Sequence, residues 1–182
     1  MPHTDPPIDR RPLRLWPGVL AAAIIVLLRF VLPLVMPDAS SLGVIAGLVG
    51  TVAVIVWWVF FSRAPWPERL GAVVVMAVAV VATRPLLHAS IVGGMMGMMF
   101  FVYAVPSVLG IAFVAWAVLT RRLSHPIRRV SMVATILLAC GVWTLARTDG
   151  LSSGGAQLAW RWTPTPEERL LAQAKDEPAV AP

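Results

Sequence analysis

Acidic side chains are all but missing from the long apolar blocks of this 182-residue chain: four of the five blocks hold no aspartate or glutamate well inside them, and the third carries only Glu68 at one end. Proton relays, carboxylate-based ion sites and aspartyl-type catalysis within a membrane therefore lack their parts. Cysteine is reduced to one residue, Cys140, inside an apolar block, so no intrachain disulfide can form and no cysteine-based metal site can be assembled. Lysine is nearly absent, with one residue against fourteen arginines, a bias that hints at a GC-rich bacterial genome. There is also no glycine-rich phosphate loop, no zinc-ligand spacing and no nucleophile–base pair.

Hydrophobic residues are what the chain has in excess, at 58% against 13% charged residues, outside the range of water-soluble domains. The charges lie in the gaps between apolar blocks, as a bilayer sorts them. The net charge of +6 does not point to nucleic acid, because the arginines flank the blocks and form no single basic face. Arg10, Arg11 and Arg14 precede the first block, yet that block is too long for a signal-peptide core and no small-residue cleavage pattern follows, so it reads as an uncleaved span.

The fold class expected is all-α integral membrane, with five transmembrane helices. A polar, proline-rich tail over 1–14 is expected to be disordered. The membrane domain covers 15–146, with spans at about Leu15–Met36, Leu42–Phe61, Glu68–Ala82, Phe100–Thr120 with a kink at Pro106, and Val130–Ala146. Residues 86–99, rich in glycine and methionine, could re-enter, lie at the interface or extend a long helix. Arginines near the span ends number nine on the side of the N-terminal tail (Arg10, Arg11, Arg14, Arg63, Arg69, Arg121, Arg122, Arg128, Arg129) and two on the other (Arg84, Arg147). The positive-inside rule then puts the N-terminus in the cytoplasm and the C-terminus in the periplasm.

Residues 147–182 are expected to be a periplasmic tether with a short amphipathic helix. "RTDGLSSGGAQ" reads as a Gly/Ser-rich linker. Thr165-Pro166-Glu167-Glu168 has the form of a capping box, with Pro166 at the first helical position. "KDEPAVAP" then stops the helix, as on the approach to a domain that this chain lacks.

Arg29 is the one charge at depth, about 20 Å along the first helix from Trp16 at roughly 1.5 Å per residue. It can snorkel to the nearer interface and meet Asp38 or carbonyls loosened by Pro33, or it can offer a cationic contact to a quinone carbonyl or a lipid phosphate. His88 with Met95, Met96, Met98 and Met99 lacks the spacing of a defined soft-metal site; packing around Gly93 and Gly97 is the simpler reading, and Gly43 and Gly47 repeat that small-xxx-small pattern in the second span. Trp57, Trp58, Trp66, Trp116, Trp143, Trp160 and Trp162 fall near span ends, as an aromatic belt would. Asp149 can pair with Arg147 or Arg84.

Four strings, "RLWPGVL", "WWVFFSRAPWPERLGA", "MVATILLACGVWTLARTDG" and "WRWTPTPEERLLAQ", carry a resemblance over about Leu13 to Gln173. The chain resembles the N-terminal membrane region of bacterial PQQ-binding-like β-propeller proteins, a family similar to membrane-bound quinoprotein dehydrogenases. The resemblance implies an anchor in the bacterial inner membrane that tethers and orients a downstream periplasmic propeller, with ubiquinone as a contact. It implies no cofactor and no catalytic residue in this chain, since PQQ would belong to the propeller, and no enzyme activity without it. The alternative reading is a free-standing small transporter or a membrane subunit of a larger complex.

Overall fold

A computed structural model describes residues 15–36, 39–62, 64–152 and 155–176. Five helices in it are long and apolar enough to cross a bilayer: Trp16–Val35, Ser41–Phe61, Trp66–Leu86, Phe100–Leu119 and His125–Leu145, the arrangement of a multi-pass membrane protein. They run up and down in turn, so that the bundle has two ends. One end carries the start of the first span, the turn after Phe61 and the loop 120–124. The other carries the short segment 87–99 and the described residues after Leu145, and is called the hairpin end below.

The expected spans sit close to these, and the differences have local causes. The third span does not stop at Ala82; it runs on through a tight turn at Arg84–Leu86, because Pro85 needs no N–H donor in the first turn of that 3-10 segment. The fifth span begins five residues before Val130, where Pro126 takes an early helical position whose N–H would have no partner in any case.

Two prolines shape the bundle interior. Pro33 and Pro106 each lack the N–H that an α-helix needs, and their rings crowd the carbonyl four residues back. In both cases the turn before the proline widens into a π-helix, Leu27–Val31 and Phe100–Ala104, and the residue just ahead of the proline bonds five residues back: Leu32 N–H to Leu27 O, Val105 N–H to Phe100 O. The widening swings Arg29 in the first span and Tyr103 in the fourth out of α-helical register.

Helix contacts use small residues, as expected where lipid offers no hydrophobic drive between helices. A Cβ on Gly43 would lie 2.9 Å from Leu28 O, one on Gly50 would collide with Ile25 Cγ1, and one on Gly47 would lie 2.5 Å from Ser107 Oγ, so the second span approaches the first and fourth closely. Gly93 behaves otherwise: nothing lies within 4 Å of a Cβ there, so the expected Gly93/Gly97 packing pair does not form. Residues 89–97 are not one helix but a helical turn, Ala89–Gly93, followed by a kinked segment in which Met95, Met96 and Gly97 all take positive φ. Gly97, at φ +84°, supplies left-handed backbone that a side chain would strain.

The core is aromatic. Trp57, Trp58, Trp116 and Trp143 are buried, so four of the seven tryptophans expected in an interfacial belt are packing residues, whereas Trp66, Trp160 and Trp162 are exposed. Trp58 meets Phe113 edge-on at 4.8 Å between centroids and Trp116 at 5.8 Å, geometry that favours the ring quadrupoles. Cys140 lies beside this cluster as a buried apolar residue.

The expected tether is in fact a β-hairpin. Strand β1, Ala146–Ser152, pairs antiparallel with β2, Gly155–Trp160, in the register Ala146–Trp160, Arg147–Ala159 and Thr148–Leu158. A bulge between Thr148 and Gly150 leaves Asp149 outside the ladder, and Gly150 takes φ +136° to make it.

Candidate functional site at the hairpin end

The only cation in the interior of the first span sits where the two proline-widened turns meet. Arg29 is half-buried, and its Cζ lies 3.9 Å above the centroid of the Tyr103 ring. A guanidinium flat on an aromatic face is attracted by the ring quadrupole, by about 2 kcal/mol or more once desolvated. Gly47 lies beside the pair: a Cβ there would stand at ordinary contact distance, 3.9 Å, from Arg29 Cδ. Of the partners expected for Arg29, Asp38 lies outside the described residues.

Tyr103 links this pair to the hairpin. Its hydroxyl accepts a hydrogen bond from Ala156 N–H at 2.8 Å. A second tie runs from the segment after the third span: Ser90 Oγ accepts from Thr148 N–H at 3.0 Å, and His88 Nδ1 lies 2.9 Å from the same hydroxyl and accepts from Ser90 N–H at 3.3 Å. His88 is therefore a helix cap and an orienter of Ser90. The nearby methionines are dispersed, with Met99 buried against Gly94 and Met96 fully exposed.

Within β1, Arg147 is buried and holds the structure that follows the hairpin. Its Nη1 pairs with Asp149 Oδ1 at 3.1 Å, its Nη2 donates to Pro164 O at 3.1 Å and its Nε to Trp160 O at 3.4 Å. Of the two partners open to Asp149, Arg147 is the one it takes. Arg161 N–H closes the base of the hairpin on Leu145 O at 2.9 Å. Trp160 and Trp162 stack at 5.2 Å and 7° on the outer surface.

The final described helix, Pro166–Asp176, starts as expected. Glu168 N–H donates to Thr165 Oγ1 at 3.0 Å while Thr165 N–H donates to Glu168 Oε2 at 2.8 Å, the reciprocal pair of a capping box. Its described side chains are exposed.

No family model matches the chain, and no curated protein or solved structure matches it either. The site thus rests on its own geometry: an Arg29–Tyr103 stack inside the bundle, coupled through one hydroxyl to a hairpin tied to the bundle at Tyr103 and Ser90. Among the described residues no three His, Cys, Asp or Glu side chains gather as a metal site. Sequence reasoning singled out Arg29 and missed Tyr103 and Ser90. The sequence signal that could have found Tyr103 is its place in the turn before Pro106, three residues ahead of it, as Arg29 lies in the turn before Pro33, four residues ahead.

Proposed function

We propose that this chain is an anchor domain of the bacterial cytoplasmic membrane that tethers and orients a PQQ-like β-propeller of quinoprotein type on the periplasmic side. The supporting observation is the hairpin. A Gly/Ser tether would let a following domain tumble, whereas strands bonded to Tyr103 and Ser90, with Arg161 closing their base on Leu145 and Arg147 holding Trp160 and Pro164, fix the direction in which the chain leaves the bundle. The capped helix Pro166–Asp176 carries that direction outward. In this reading nine arginines near the span ends hold the opposite end in the cytoplasm.

A ubiquinone headgroup is the natural small-molecule contact for such a domain, and Arg29, stacked on Tyr103 beneath the hairpin, is the donor offered to its carbonyl. The test is to sequence the native transcript past codon 182. An open frame that runs into repeated short strands rich in Trp and Gly is the expected result. A stop codon at that position would sink the anchor reading and favour a free-standing transporter or membrane subunit.

A further inference from the structure

A second site lies at the opposite end of the bundle. Arg128 is 92% buried, the complement of its 8% exposure, and its guanidinium Cζ lies 5.3 Å from the Trp116 ring and 5.9 Å from the Trp58 ring. Two of its donors, Nε and Nη2, have no hydrogen-bond partner among the described residues, and neither has Trp58 Nε1. The nearby carboxylate does not serve them. Glu68, itself buried, meets Arg129 Nε at 3.1 Å and His125 Nδ1 at 3.6 Å. Arg69 is also engaged, donating from Nε to Ala64 O at 2.6 Å and from Nη1 to Val59 O at 2.8 Å. Ser131 Oγ accepts from Trp116 Nε1 at 3.0 Å and donates to the backbone carbonyl of Arg128 at 3.0 Å, so its bonds do not reach the guanidinium.

Orphaned donors on a buried cation are costly, and the missing partner by chemistry is an anion. Trp58 also ends a groove of about 350 Å³ between the second, third and fourth spans, walled by Val54, Met76, Val80, Leu109 and Phe113. The lining is apolar apart from Thr51, so the groove suits an apolar chain. Arg121, Arg122 and Arg129 are exposed around the same end and add positive charge at headgroup level.

We propose that this groove binds an anionic phospholipid, one acyl chain lying between the three spans and the phosphate accepting hydrogen bonds from Arg128 Nε and Nη2. Trp58 is common to the Arg128 cradle and to the groove, so a phosphate at that end of the groove comes beside the guanidinium, which its long flexible stem can turn to meet the headgroup. The interaction is a charge-assisted, bidentate one that a zwitterionic lipid with its own compensating ammonium matches less well.

The full chain, purified in detergent, is offered phosphatidylglycerol or phosphatidylcholine of identical acyl chains, and retained lipid is counted by native mass spectrometry. Phosphatidylglycerol is expected to be retained with about tenfold preference, falling to within about twofold in Arg128→Gln and partly restored in Arg128→Lys. Ala77→Phe, which fills the groove wall from the third span without touching Arg128, is expected to cut retention of both lipids. Equal retention by the unaltered chain, a preference that survives Arg128→Gln, or a lipid-free dimer would overturn the proposal. Soluble glycerol phosphate that raises the melting temperature as much as the lipid would overturn it too, since the site would then read a free phosphate. If Arg128→Gln does not fold, Ala77→Phe decides, and unchanged phosphatidylglycerol retention there sinks the idea.

Discussion

Tyr103 is the only tyrosine in the chain, and its two faces of chemistry are used separately, the ring by Arg29 and the hydroxyl by Ala156. Tyr103→Phe keeps the ring and removes the acceptor, so the stack should survive while the Ala156 amide loses a bond of about 1 kcal/mol. Hydrogen exchange at Ala156 should then quicken roughly fivefold with the melting temperature nearly unchanged; equal exchange in both proteins would show that the hairpin does not depend on this bond. Glycines divide in the same residue-level way. Gly43→Ala drives a methyl onto Leu28 O, a backbone atom that cannot step aside, and should cost about 1–3 kcal/mol in thermal unfolding, whereas Gly93→Ala meets open space and should stay within about 0.5 kcal/mol. Arg29 was legible in the sequence because a lone charge in an apolar run stands out. Tyr103 was not, because an aromatic residue among Phe, Val and Ala looks like packing and its partner amide is 53 residues away.

Among the elements, the two π-turns do most to build the site. A proline in a membrane helix is legible as a kink, but whether the helix breaks, bends or widens depends on what its neighbours can absorb. Here Thr51 Oγ1 donates to Pro106 O across the second and fourth spans, and Gly110 leaves Thr51 room. Pro106→Ala should let the turn close to α-helix and rotate the residues before it by about 100°, one residue's share of a turn. Tyr103 would leave both Arg29 and Ala156. Exchange at Ala156 should quicken as in Tyr103→Phe, and the double variant should be no faster than either single one, since both remove the same bond. An additive result would mean that the proline acts on the hairpin by another route. The hairpin itself escaped the sequence for a related reason. "RTDGLSSGGAQ" has no alternation of polar and apolar residues and few strand formers, and two strands alone are barely stable; Tyr103 and Ser90 of the bundle hold it. The Thr165–Glu168 cap was legible because both halves of a capping box lie within four residues.

At the scale of the whole molecule, the five spans could be read from the sequence to within a few residues, since hydropathy and length decide them, and the distribution of arginines then predicts which end faces the cytoplasm. That prediction can be checked with the chain's own cysteine content. Cys140 is buried, so a single cysteine placed elsewhere reports on its own position. Met96→Cys, on a fully exposed residue at the hairpin end, should react with a membrane-impermeant maleimide in intact cells, and Leu123→Cys, in the loop at the opposite end, only after the membrane is opened. Replacing Arg121 and Arg122 together by Gln lowers the count from nine to seven against two, so the labelling pattern should persist. The reverse pattern in the unaltered protein would place the hairpin and the capped helix in the cytoplasm. The anchor would then face away from any periplasmic propeller, and the lipid groove, which depends on the arginine-rich end meeting anionic headgroups, would have to find them in the outer leaflet, where its charge selectivity would have less to select.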